Sequence, residues 1–369
     1  MIKLLMLADA SCIHTQRWAN SLNESGISVF LFSLTTFDVT LFNTSIKIYH
    51  FGYDRKDTNV HSSWHKLRYL VAVRRIKNLI KEIKPDILHA HYASSYGLLG
   101  ALAGFHPYIV SVWGSDVYEF PRQSWIWKYV LKYSFWRAND ILSTSHIMAK
   151  EIKKYTRKPI KITPFGVDID QFKNTNMFKV NEEYLIGNVK ALEFKYGIDI
   201  LIKAFKIIVD KNPNRKLKLE IIGEGPNREE LEILTKDLHL TDKVCFLGKI
   251  RNSELATYYN HFSVAVFPSN SESFGVVAIE AMACECPVVT SDADGFTEVV
   301  VDGQTGFIVP KKDIENTAEA IQRFIDNPEL RFLMGKKGRE RVLNLYNWND
   351  NVNTMISVYQ KIMSKWQAH

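Results

Sequence analysis

Val264-Ala-Val-Phe-Pro-Ser-Asn-Ser-Glu272-Ser-Phe-Gly-Val-Val-Ala-Ile-Glu280-Ala-Met-Ala283 is the stretch on which the reading of this 369-residue chain turns. Four apolar residues in a row, stopped by Pro268, read as a buried strand. A polar loop then presents Glu272, and Gly275 permits a tight turn into an apolar helix that carries Glu280. A buried strand feeding a helix in this way is the repeating unit of a parallel α/β sheet, and free amides at such a helix start can hold an anion such as phosphate. Two carboxylates beside that site suit hydroxyl-rich ligands, because an ionised carboxylate accepts hydrogen bonds from vicinal hydroxyls. Taken alone, Glu272 also reads as a capping residue and Glu280 as a solvated helix position. The flanking Ala278, Ile279, Ala281 and Met282 make a solvated face less natural for Glu280.

The same alternation extends in both directions. In the second half, residues 184–189, 218–222, 244–247 and 287–291 read as further strands, with helices over 198–210, 228–238, 253–261 and 314–325. In the first half, residues 2–8, 28–33, 87–91, 109–113 and 140–143 read as strands and 15–25 and 64–84 as helices, the latter with Leu70, Val73, Ile76, Ile80 and Ile83 along one face. At roughly 100 to 200 residues per domain, the length predicts two doubly wound, Rossmann-like domains. The expected boundaries are 1–167 and 168–349, with a C-terminal helix at about 350–369 packing back on the first domain and a polar hinge at 168–181. Ligands of such sheets sit at the carboxyl ends of the strands, so chemistry is expected in a cleft onto which both domains face.

Composition narrows the class. Hydrophobic residues are 46% and charged residues 24%, which excludes a disordered or collagen-like chain. Cys12, Cys245, Cys284 and Cys286 are too few for a disulfide scaffold and lack a common zinc spacing, which points to a reducing compartment and no structural metal. Asp9 cuts the first apolar run short of a signal peptide, so residues 1–8 read as a strand. Residues 87–115 contain no Asp, Glu, Lys or Arg, and a membrane span of about 20 residues would fit there. His89, His91, His106 and Pro107 interrupt it and argue against a span. The net charge of +7 is uneven: residues 1–180 hold 24 Lys and Arg against 13 Asp and Glu, a balance of +11, and the remainder carries −4. A basic first half favours polyanionic partners.

Several stretches occur together in an order that is recognisable. They are Pro164-Phe-Gly-Val-Asp-Ile-Asp-Gln-Phe172, Gly223-Glu-Gly-Pro226, Phe246-Leu-Gly248, the Glu272 to Glu280 tract, Pro287-Val-Val, Asp302-Gly-Gln-Thr-Gly-Phe-Ile-Val-Pro310 and a tail near Trp348. The chain resembles retaining glycosyltransferases of family 4, which have the GT-B fold and a Glu-x7-Glu motif. The resemblance implies an α/β GT-B enzyme that moves a sugar from a nucleotide-diphosphate donor, expected to be a UDP-sugar, without a metal or other cofactor. It implies that Glu280 holds the ribose, Glu272 the donor sugar, and Lys190 and Lys195 the diphosphate, with Gly223, Phe274, Gly275 and Val276 lining the donor site. The family more often has Arg at the first basic position and Lys-Gly at the second; here Lys190 replaces the Arg and Tyr196 separates Lys195 from Gly197. Without that context, two lysines after a strand also read as solvated. Asp294-Gly295 stands where the family has Gly-Gly.

In the first domain the family often has a His at the end of the strand that here carries His89 and His91. His91 matches that position, and His89 is expected to pack. Two His on one strand face could bind a metal, but no third ligand is apparent. The D-x-D matches Asp168-Ile-Asp170 and Asp292-Ala-Asp294 fall inside segments already explained and are read as coincidental. His14, Arg17, Trp113 and Asp116 are the candidate acceptor-binding residues, and both segments could equally cap helices. Along residues 125–137, Trp125, Lys128, Lys132 and Trp136 form one stripe, beside Ile126, Tyr129, Val130 and Tyr133. Residues 64–84 carry a second basic face that includes Lys66 and Arg68. Interleaved cations and aromatics suit an anionic membrane surface, or else a surface helix whose aromatics pack inward. No nucleic-acid-binding signature appears. The expectation is a cytoplasmic enzyme on the inner face of the plasma membrane, building a cell-surface glycan on an acceptor glycan, itself lipid-linked. A GT-B nucleotide-sugar epimerase and a non-catalytic basic binding protein of the same fold are the alternatives.

Overall fold

The apolar runs become strands of two parallel sheets, described by a computed structural model for residues 1–53, 71–175 and 183–367. The chain divides into two units, Met1–Pro164 with Asp350–His369, and Phe165–Asn349.

In the first unit, β1 (Lys3–Leu7), β2 (Ser28–Thr35), β3 (Lys47–Tyr53), β4 (Ile87–His91), β5 (Tyr108–Val112), β6 (Asp140–Ser143) and β7 (Ile160–Ile162) lie in the order β3-β2-β1-β4-β5-β6-β7. Every pairing is parallel. A parallel sheet is covered on both faces, so its central strands are apolar throughout, as Leu4 to Leu7 are here. The helix Ala72–Ile83 buries Ala72, Ile76, Leu79 and Ile83, one stripe of a 3.6-residue period. The rest of that expected helix, with Leu70, Lys66 and Arg68, lies outside the described residues. The C-terminal helix Trp348–Gln367 buries Val352, Met355, Tyr359 and Ile362 in the same manner. Residues 87–115 form β4, the helix Tyr96–Ala103 and β5, and no described helix is long and apolar enough to cross a membrane.

The second unit contains β8 (Glu183–Val189), β9 (Lys216–Ile222), β10 (Val244–Gly248), β11 (Val264–Phe267), β12 (Val288–Ser291) and β13 (Gly306–Val309), ordered β10-β9-β8-β11-β12-β13. Strand order reverses between β8 and β11, as it does between β1 and β4. Such reversals open a crevice beyond the carboxyl ends of the two central strands. Residues 168–175, the described part of the expected hinge, are bound firmly into this unit. Asp168 Oδ1 accepts from the amides of Asp170 at 2.9 Å and Gln171 at 3.1 Å, while the Arg339 guanidinium donates to the carbonyls of Phe172, Ala283 and Ile169 at 2.5, 2.6 and 3.2 Å.

Candidate functional site

Both loops at the second reversal carry the residues singled out by sequence. Lys190 follows β8 directly, and its Nζ lies 2.5 Å from Glu272 Oε2 in the loop after β11, with the two side chains only 13% and 11% exposed. Tyr196, the residue that separates Lys195 from Gly197, supplies a reason for its presence: its ring lies 4.5 Å from Lys190 Nζ and 5.0 Å from Lys195 Nζ. One aromatic ring thus lies close to both cations. Lys195 is half-exposed and also pairs with Glu193 at 3.0 Å, and its carbonyl accepts from the amide of Asn270 at 2.8 Å. The two loops are therefore joined by backbone as well as charge.

Glu280 sits in the helix Val276–Ala283 and is buried. Asn252 Nδ2 donates to its Oε1 and Tyr259 Oη to its Oε2, both at 3.2 Å. An ionised carboxylate oxygen can accept more than one hydrogen bond. Burial, with the Glu280 charge beside it, drives the Tyr259 phenol well above its ordinary value, so it stays a donor. Sequence reasoning missed Asn252 and Tyr259, because neither adjoins Glu280 in the chain.

Backbone geometry explains the glycines. Gly223 adopts φ +145°, and a Cβ there would come within 1.9 Å of the Lys190 carbonyl oxygen. Gly275 has φ +95° and faces the Phe296 ring, with the helix beginning at Val276. Phe274 is buried, its ring edge-on to Phe165 at 5.7 Å and Tyr346 at 5.8 Å. Its side chain therefore braces the loop, which leaves only its backbone to meet a ligand. Gly295 donates its amide to the Glu272 carbonyl at 2.9 Å, while the Asp294 side chain is exposed at the start of the next short helix.

The first unit gathers a ring cluster at the end of β4. His14 and Trp113 have centroids 6.0 Å apart, Trp113 and His91 4.9 Å, and His91 and His89 4.3 Å. Arg17 lies one turn beyond His14 on the helix Ile13–Glu24. Both His89 nitrogens are engaged, Nδ1 with Tyr359 Oη and Nε2 with Ser111 Oγ, each at 2.8 Å. His91 is buried with neither nitrogen hydrogen-bonded among the described residues, and burial pulls its pKa down to about 3. It is therefore a neutral imidazole with a donor and an acceptor to offer. Asp116 is fully buried and accepts from the amides of Ala93 at 2.7 Å and Gly114 at 2.8 Å, so its geometry is that of a loop brace rather than an acceptor-contacting surface. Burial raises its carboxyl to about 6. No group of three or more metal-ligating side chains occurs among the described residues.

A family model described as glycosyl transferases group 1 matches residues 170–341, and one described as glycosyl transferase 4-like matches residues 3–145. The capsular polysaccharide biosynthesis glycosyltransferase CapM of Staphylococcus aureus is 32% identical over 297 residues, 74% of this chain and 77% of that one. The chain belongs to the group 1, family 4-like glycosyltransferases. An uncharacterised glycosyltransferase of Methanocaldococcus jannaschii is 29% identical over 300 residues, 80% of this chain and 81% of that one. Among solved structures, sucrose-phosphate synthase from Thermosynechococcus elongatus matches with a TM-score of 0.85 at 22% identity, over 99% of this glycosyltransferase and 100% of that chain. HepE from Anabaena, solved with UDP and glucose, matches at 0.79 and 18%, over 98% and 100%. At such identities the likeness speaks to fold, and the fold of this glycosyltransferase is GT-B, with parallel sheets of seven and six strands.

Proposed function

We propose that the protein is a retaining, metal-independent glycosyltransferase that moves a sugar from a UDP-sugar to a lipid-linked acceptor glycan. The observation that carries this reading is the Lys190–Glu272 pair at 2.5 Å, set at the carboxyl ends of β8 and β11 beside the helix that bears Glu280. In this reading Glu280 accepts from the ribose hydroxyls and Glu272 from hydroxyls of the donor sugar. Lys190, with Lys195 held on the same Tyr196 ring, neutralises the diphosphate. The bond from the anomeric carbon to the diphosphate oxygen breaks, and negative charge grows on the leaving group where fixed cations stabilise it most. The acceptor hydroxyl attacks from the same face, and its proton passes to the departing phosphate oxygen. His91, with Trp113, His14 and Arg17 near it, serves sugar hydroxyls in the first unit. The residues 1–167 are assigned to acceptor and 168–349 to donor.

The capsular polysaccharide biosynthesis of CapM and the UDP and glucose bound to HepE favour a UDP donor and a cell-surface glycan product. Such an acceptor puts the enzyme in the cytoplasm, on the inner face of the plasma membrane. Thermal-shift measurements across UDP-, GDP-, ADP- and TDP-sugars test the donor side directly. A UDP-sugar that raises Tm in the wild type and not in Glu280→Gln is the expected result. Equal shifts in the two proteins would remove Glu280 from the donor site.

A further inference from the structure

The helix Trp125–Arg137 turns several of its largest side chains outward. Leu131, Ser134 and Phe135 are its buried residues, whereas Trp125, Tyr129 and Trp136 are 72%, 62% and 66% exposed, with Ile126 and Tyr133 beside them. Inward packing is therefore ruled out for Trp125, Tyr129 and Trp136, while Phe135 is buried and Trp127, partly buried, lies against Phe120. Soluble surfaces rarely leave so much contiguous apolar area in water unless a partner covers it. Cations are interleaved with the rings. Lys128 and Lys132 are exposed, Lys132 Nζ lies 5.6 Å from the Tyr129 ring centroid, and the Arg137 guanidinium lies 5.7 Å from that of Trp136. The helix contains no acidic residue.

This ridge continues onto a second helix. Arg137 Nη2 reaches His106 Nε2 at 3.2 Å, and the His106 ring lies parallel to that of Trp366, 6.0 Å away with 3° between the planes. Trp366 is itself 45% exposed, near the end of Trp348–Gln367. Residues far apart in sequence thus form one aromatic and basic surface within the first unit.

We propose that this two-helix ridge, with Trp125, Trp136 and Trp366 as its rings and Lys128, Lys132 and Arg137 as its cations, docks the enzyme on anionic membrane lipid. The proposal deepens the lipid-linked reading above and rests on it for biological sense, though not for its chemistry. Trp and Tyr carry an apolar body with a polar tip, which suits the boundary between acyl chains and headgroups. The interleaved cations meet lipid phosphates at the same depth, with their stems lying along the rings. Charge complementarity favours this occupant, since residues 1–180 carry a balance of +11. Single-stranded nucleic acid fits less well. It needs flat stacking platforms, and here Trp125 and Tyr129 meet at 84° and Tyr133 and Trp136 at 37°.

The test is co-sedimentation of the full chain with phosphatidylglycerol-containing and with pure phosphatidylcholine vesicles, together with UDP-sugar hydrolysis by the same proteins. All substituted side chains are exposed, and circular dichroism and Tm check that the variants fold. Wild type is expected to bind the anionic vesicles at least about tenfold more tightly, with binding weakened by 1 M salt. Lys128→Glu with Lys132→Glu should lose about tenfold or more of that binding, Trp125→Ser with Trp136→Ser should lose the salt-resistant part, and Trp366→Ser should weaken it from the second helix. Hydrolysis should stay at the wild-type rate in all of them. Equal binding to both vesicles, or unaffected charge and Trp variants, would overturn the proposal. So would a poly-U complex, or a self-association abolished by the Trp variants, in the absence of vesicle binding. Absent hydrolysis with intact vesicle binding would defeat the transferase reading and leave the docking surface standing.

Discussion

Lys190 Nζ and Glu272 Oε2 form a close, largely buried ion pair that joins the loop after β8 to the loop after β11. A pair so withdrawn from water is costly to break from one side, since the survivor is left charged without a partner. The same two groups are assigned opposite parts of one substrate, the diphosphate and the sugar. Structural and catalytic roles can be separated by a double variant. Lys190→Met is expected to lower stability by about 3 kcal/mol and UDP-sugar turnover by about 100-fold or more. Lys190→Met with Glu272→Gln should recover most of the stability and none of the turnover. Urea denaturation beside a UDP-release assay checks both, and recovery of turnover in the double variant would make the pair merely structural.

Glu280 meets the ribose equally before and during reaction, so its contribution is to binding. Glu280→Gln keeps the shape but removes the charge and one of the two oxygens that accept from Asn252 and Tyr259. The expected outcome is a donor KM raised about tenfold with kcat within about twofold, the pattern of lost uniform binding. A fall in kcat at unchanged KM would move Glu280 to the reacting centre.

The first unit should lose stability on acidification in a predictable direction. Burial holds His91 at about 3, and His89 is pulled down by burial and by His91. Unfolded, both return to about 6.5. The unfolded chain then binds the extra protons below that value, so stability is lost as pH falls from 6.5 toward 3. Asp116 works the other way. Its folded value of about 6 lies above the unfolded value of roughly 3.9, so it favours the folded state as pH falls through that interval. Two histidines outweigh one aspartate. Between pH 7 and 5, His91→Phe should reduce the loss by up to about 1.4 kcal/mol per pH unit, and Asp116→Asn should enlarge it. Identical losses in wild type and both variants, measured by urea denaturation at the two pH values, would show that these groups are not buried as described.

Metal should be dispensable. Asp168 is engaged with the amides of Asp170 and Gln171 in its own loop, and Asp292 with the amide of Lys311 in the loop after β13. Turnover is expected to survive EDTA. Activity lost on chelation and restored by Mn²⁺ or Mg²⁺ would count against the proposed mechanism.

How far the sequence could be read follows from burial. Within the central strands, Leu4 to Leu7 of β1 and Val264 to Phe267 of β11 are fully buried and appear as unbroken apolar runs, which is why residues 264–267 announce the fold. β3, β7 and β13, each at a sheet edge, were not legible: Lys47–Tyr53 mixes polar and aromatic residues, and Ile160–Ile162 is too short to show a period. At the candidate site, Glu272 and Glu280 are legible as a pair because one loop and helix carry both, whereas Lys190, 82 residues before Glu272, is reached only through the family resemblance. The partners of Glu280 and of His89, namely Asn252, Tyr259, Ser111 and Tyr359, come from other elements, and no local spacing encodes them. Trp366 joins the basic ridge of residues 125–137 for the same reason.

The most direct test is UDP release from a panel of UDP-sugars, measured for wild type and for Lys190→Ala. At least one UDP-sugar should be turned over by the wild type, slowly to water and faster with an acceptor glycan, and Lys190→Ala should lower that rate by about 100-fold or more. No release from any UDP-sugar with acceptor present, or equal rates in the two proteins, would contradict sugar transfer at the Lys190 and Glu272 site.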